Sequence, residues 1–71
     1  MDKFFHVKDG INKNSFISVN DVEAAFPYYE NGYVWLYVVL HSGKEISIWE
    51  GKQSDKPDLA AIFEDFIRGR K

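Results

Sequence analysis

The sequence has no cysteine, only two prolines and one methionine, and a formal net charge of only -2. Without cysteine there is no disulfide framework, no thiolate nucleophile and no thiolate zinc site. The staples of small secreted domains are therefore missing, and stability has to come from packing, within the chain or between chains. No stretch approaches the roughly 20 apolar residues of a membrane-spanning helix. Asp2, Lys3, His6, Lys8 and Asp9 interrupt any apolar run of the kind a secretory leader carries near its start. The expected address is cytoplasmic, with no membrane partner.

The small net charge hides an asymmetry. Between Asn20 and Glu50 the acids Asp21, Glu23, Glu30, Glu45 and Glu50 face Lys44 alone, while the segments on either side come out slightly basic. Nucleic acid is held largely by cations against phosphate, so an acidic middle is a poor platform for it. The tail Arg68-Gly69-Arg70-Lys71 could assist such binding, but it reads more simply as a solvated helix end.

What is present is apolar and unusually aromatic. Hydrophobic residues make up 45% of the 71 positions and aromatic ones 17%, against 28% charged. That balance excludes a disordered chain. The length allows one domain, residues 1–71, near the size at which a chain buries about 60% of its unfolded surface.

Residues 33–41, Tyr-Val-Trp-Leu-Tyr-Val-Val-Leu-His, read as a strand with two different apolar faces. Alternation puts Val34, Leu36, Val38 and Leu40 on one side and Tyr33, Trp35, Tyr37 and Val39 on the other. A second alternating run, residues 44–50, follows His41-Ser42-Gly43. A three-residue loop with Gly43 left-handed pairs Val38 with Ile46 and Leu36 with Ile48, and sets Trp49 opposite Trp35; a two-residue loop mixes polar and aliphatic groups. The same preference applied to Glu30-Asn31-Gly32 pairs Tyr28, Phe26, Ala24 and Val22 with Val34, Leu36, Val38 and Leu40. A strand over 22–29 would then send Glu23, Ala25, Pro27 and Tyr29 to the aromatic face, with Pro27 tolerated only on an edge or at a bulge. The alternatives are a two-residue Asn-Gly turn for the loop and a short helix beginning at Asn20 for the segment, since Asn20 with Glu23 resembles a capping box.

Leu59, Ile62, Phe63, Phe66 and Ile67 form one apolar stripe at helical spacing, predicting an amphipathic helix over 57–68 with Pro57 in its first position and Gly69 as its stop. That helix should cover the aliphatic face. Two short apolar segments, 3–8 and 15–19, make either one hairpin or an edge strand and an arm, and the second sheet face is the largest surface on which they could be buried. The fold expected is α+β: an antiparallel three-stranded meander, extended or not by N-terminal strands, with one C-terminal helix on one face.

Chemistry has little to build on. His6 and His41 show no metal-ligand spacing, and no serine sits in a nucleophile elbow. Glu23 and Glu45 would flank Val39 on the aromatic face, a pair whose simplest role is a solvated rim. No catalytic residue, metal, cofactor or small-molecule site is expected. What remains is the patch Tyr29, Tyr33, Trp35, Tyr37 and Trp49, rich in the residue types that dominate binding hot spots. It points to a non-enzymatic protein-binding module of regulator or inhibitor type, acting through that face or an open sheet edge on a partner protein or, as a homodimer, on itself. Base stacking on single-stranded nucleic acid is the first alternative, disfavoured by the neighbouring acids, and a structural protein of unknown role is the second.

Overall fold

A computed structural model gives the structure of residues 4–7 and 11–68. Residues 3 and 8 of the expected first strand, the helix stop at Gly69 and the basic residues Arg70 and Lys71 lie outside the described residues. The elements follow in the order β1 (Phe4–His6), β2 (Phe16–Ser18), β3 (Val22–Glu30), β4 (Tyr33–Leu40), β5 (Glu45–Lys52) and α1 (Leu59–Ile67). The architecture is α+β: β3, β4 and β5 form an antiparallel meander, and β1 pairs with β2 in a separate two-stranded sheet. Of the two layouts open for the N-terminus, the hairpin is the one adopted. Its pairing continues past β1, with the Val7 N–H donating to the Ser15 carbonyl at 2.9 Å.

The segment read as strand or short helix resolves into both in miniature. A single 3-10 turn, Val19–Asp21, precedes β3, which then runs extended through Glu30. The helix begins later than expected. Pro57 precedes it, and Asp58 is the N-cap, its carboxylate accepting from the Ala61 N–H at 3.1 Å. A capping carboxylate satisfies a free N–H and faces the positive end of the helix dipole, so Asp58, not Pro57, sets the start.

The core lies between one face of the meander and a layer made jointly by α1 and the N-terminal hairpin. Val7, Ile17, Leu36, Val38, Ile46, Ile48 and Phe66 form its buried cluster, with Phe5, Val19, Val22, Leu40, Trp49, Ile62 and Phe63 packed around it. Phe66, 1% exposed, is the one fully buried residue of α1 and meets Phe5 edge-on with ring centroids 4.8 Å apart. Ile67, at the end of the stripe, is 45% exposed. The described part of the N-terminal segment therefore packs mainly on the aliphatic side, while Asn12 of its loop reaches β5 at Ser47, which is fully buried. Val7, Ile17, Phe5 and Val19 join the aliphatic core, where the end of α1 leaves room for them.

Two registers differ from the sequence reading. In the β3–β4 hairpin, Asn31 and Gly32 have φ of 51° and 84°. Two successive left-handed residues make the tight two-residue turn whose twist suits a hairpin, closing on the pair Glu30 and Tyr33. Tyr28 consequently opposes Trp35 and Phe26 opposes Tyr37, one step away from the expected register. A slip of one residue moves every side chain to the other face. Ala25, Pro27 and Tyr29 thus share the face of Val38, Leu36 and Val34, and Tyr29 leaves the aromatic patch. The expected Val22–Leu40 pair survives only because a bulge at Glu23 restores the count.

The β4–β5 loop is the three-residue one, with Gly43 at φ 91° and Val38 opposite Ile46. Beyond it, a bulge at Ile48 shifts the ladder, so that Leu36 opposes Trp49 in place of Ile48. Ile48 and Trp49 both turn to the core side, and Trp49 also leaves the aromatic patch. Its indole lies over Gly51, where an added Cβ would collide with Cη2 and lie 2.6 Å from Cζ2.

Candidate functional site: an aromatic sheet face

The pairings build the outer face of the sheet row by row. Glu30, Tyr33 and Lys52 form one row; Tyr28, Trp35 and Glu50 the next; then Phe26, Tyr37 and Ser47; then Ala24, Val39 and Glu45. The β3 and β4 columns are mostly aromatic, and the β5 column is polar. Directly opposed side chains on a sheet face have Cβ atoms about 4.5–5.5 Å apart, close enough for rings to touch. Phe26 and Tyr37 stack at 5.5 Å with planes 10° apart, while Tyr28 and Tyr33 each tilt 42° against Trp35 at 5.7 and 6.2 Å. Tyr28 also meets Tyr37 edge-on at 6.4 Å, so these contacts link all five rings.

The ladder is open to solvent. Phe26, Tyr28 and Tyr33 are 36%, 46% and 42% exposed, and Trp35 and Tyr37 between them are half-buried by their neighbours. Of the expected patch, the structure brings together Tyr33, Trp35 and Tyr37. Tyr29 and Trp49 lie on the opposite face, and Phe26 and Tyr28 stand in their place. The signal for those two was the Asn31-Gly32 dipeptide, the strongest short-range mark of a two-residue hairpin turn.

The face is ringed by carboxylates. Among the described residues, the pairings place Glu30, Glu45 and Glu50 on it against the single cation Lys52. Tyr28 donates its hydroxyl to Glu30 Oε1 at 2.8 Å. That hydrogen bond, together with the carboxylate charge, raises the Tyr28 phenol above its usual pKa. Glu23 sits in the β3 bulge, where it borders a groove between β3 and α1 and its carboxylate is 3.8 Å from His41 Nδ1.

That groove, about 400 Å³, runs between β3 and the start of α1, lined by Ala25, Pro27, Leu36, Leu59 and Phe63 among others. It became visible only with the corrected register, which turns Ala25 and Pro27 toward the helix. Beside it runs the outer edge of β3, at the margin of the sheet. Counting alternate pairs from the closing pair Glu30–Tyr33 points the backbone groups of residues 25, 27 and 29 outward. The missing N–H of Pro27 falls among them, so the proline sits where the ladder does not need a donor and where a further strand would.

The histidines are occupied elsewhere. His6 stacks on Phe16 at 4.6 Å and its Nε2 is 3.2 Å from Asn14 Oδ1. Among the described residues no three His, Asp or Glu side chains gather as a metal site would need, and no helix is long and apolar enough to cross a membrane.

The fold and this surface define a small α+β domain with one sheet face packed and the other left aromatic. Comparison with known proteins finds no matching family model, no similar curated protein and no similar solved structure.

Proposed function

We propose that this chain is a small, cytoplasmic, non-enzymatic protein-binding module of regulator or inhibitor type, working through the aromatic face of β3 and β4. The observation that carries the reading is the placement of the core. The helix and the N-terminal hairpin both pack on one side of the sheet, leaving Phe26, Tyr28, Tyr33, Trp35 and Tyr37 contiguous on the other. Large exposed apolar patches rimmed by polar groups mark interaction sites, and Tyr and Trp supply much of the binding energy in such sites. The sheet edge is the weaker candidate, because Pro27 interrupts the outward row of donors on β3. A second copy of the chain is one partner the reading admits.

Selective quenching and sedimentation test it. In the monomer both half-buried indoles, Trp35 and Trp49, should be partly reached by a neutral quencher, and complex formation should protect Trp35 selectively. Trp35→Glu should leave the circular dichroism spectrum intact and abolish any complex formed through the face. If Trp35→Glu unfolds the monomer, or Trp35 is inaccessible to the quencher at high dilution, the face is core and the proposal fails.

A further inference from the structure

The charge around the rings narrows what they would bind. Aromatic π-faces carry negative potential; Tyr28 and Tyr33 tilt 42° against Trp35 without stacking flat on it, and they are 46% and 42% exposed beside the half-buried Trp35. Glu50 is directly opposite Trp35, Glu45 opposite Val39, and Glu30 opposite Tyr33, so carboxylates stand at the β5 side and at one end of the ladder. Among the described residues Lys52 is the only cation that the pairings place on the face, at the same end as Glu30.

Resting on the reading of this face as a protein-contact surface, we propose that its partner presents a basic segment: an arginine laid over Trp35 with its guanidinium within reach of Glu50, and neighbouring cations directed at Glu30 and Glu45. Arginine fits better than lysine, because a planar, weakly hydrated guanidinium stacks on a ring and pairs with a carboxylate at once. The charge argues against the other occupants. A two-fold copy would set the same three carboxylates against themselves with, among the described residues of the face, only Lys52 to answer them, and a nucleic acid would bring phosphates to that rim.

The test uses the full chain, isotopically labelled, with three probes followed by NMR at low salt: a short Gly-Arg repeat peptide, its Gly-Glu counterpart and a single-stranded oligonucleotide. The Gly-Arg peptide should produce saturable shifts of the Trp35 indole and of the β3 and β4 amides. Its affinity should fall about tenfold as salt rises from about 0.02 to 0.2 M, and about threefold on Glu50→Gln alone. The triple variant E30Q/E45Q/E50Q, whose side chains lie on the solvent face, should fold normally and lose most of the binding. Absence of saturable shifts with Gly-Arg peptide overturns the basic-partner assignment, and so does equal binding by Gly-Glu peptide. If sedimentation then finds a dimer that Trp35→Glu dissociates, the protein-contact reading stands with the chain as its own partner. Tighter binding of the oligonucleotide on the same rings overturns both.

Discussion

Replacing glycine by alanine at three positions should destabilise the chain for two different reasons, and the rescue should differ accordingly. Gly32 and Gly43 have φ of 84° and 91°, and nothing lies within 4 Å of where a Cβ would stand. Space is free there, but the backbone is not. A left-handed L-residue costs about 1–2 kcal/mol, offset by about 0.4–1 kcal/mol from a stiffer unfolded chain, so Gly32→Ala should lose about 1 kcal/mol. Asn at position 32 should recover part of that loss, since its side chain tolerates the left-handed region. Gly51 is the converse: its φ is ordinary, but the Cβ would strike the Trp49 ring. Overpacking of this kind costs about 1–3 kcal/mol. Moving the indole aside should also loosen the cover over Val34, which opposes Gly51 and is 1% exposed. At about 4–8 °C per kcal/mol for a chain of this size, a melting shift of about 10 °C is expected for Gly51→Ala. The decisive measurement is a double-mutant cycle by denaturant titration. In a Trp49→Leu background, Gly51→Ala should become nearly neutral, a coupling of about 1 kcal/mol or more. Equal effects of Gly51→Ala in the two backgrounds would refute the collision. Recovery at position 51 by Asn would point instead to backbone strain.

Asn12→Ala should cost about 1–3 kcal/mol, because the N–H of the fully buried Ser47 donates to Asn12 Oδ1 at 2.9 Å and would lose its partner. Asn12→Asp, which keeps an acceptor, should be milder in the same denaturant titration, and a loss under about 0.5 kcal/mol for Asn12→Ala would show that water replaces the side chain. In an alkaline titration Tyr28 should ionise later than an unperturbed tyrosine, and Glu30→Gln should bring it back down, because both the hydrogen bond and the charge of Glu30 hold the phenol neutral. A folded-state pKa raised above the unfolded one contributes stability that is complete below about pH 10 and is lost as pH rises through the higher folded value. The Glu30 contribution should therefore fade only in strongly alkaline solution, and an unchanged Tyr28 midpoint in Glu30→Gln would remove Glu30 as its cause.

The amphipathic stripe from Leu59 to Phe66 is legible as a single local pattern, and the Gly43 loop because only its three-residue form sorts polar from aliphatic groups. The register of β3 is not, because two local rules disagree. Matching apolar faces favoured a three-residue loop, while Asn-Gly favoured two left-handed residues in a tight turn, and the turn prevailed. The penalty for sending Phe26 and Tyr28 to the open face is small, because β3 is an edge strand whose residues from Glu23 to Glu30 are all exposed. Unbroken pairing would place Tyr29 and Trp49 on the aromatic face. The Asn-Gly turn and the Ile48 bulge, neither apparent from alternation, reversed them. Tyr33, Trp35 and Tyr37 stayed together because they share one uninterrupted strand.

The edge position of β3 also governs how the aromatic face behaves over time. Two of its five rings, Phe26 and Tyr28, ride on a strand paired on one side only and carrying no fully buried side chain. Trp35 and Tyr37 ride on the central strand, between two paired neighbours. Sub-global opening should therefore unzip β3 before β4, and the complete ladder exists only for the fraction of time that β3 is zipped. That fraction scales the apparent affinity of any ligand that needs all five rings, and by reciprocity such a ligand slows the exchange of the β3 amides by as much as it gains from the closed state. The aromatic face thus shares a strand with the most easily opened part of the sheet, so occupancy of the face would be recorded in the protection of that strand.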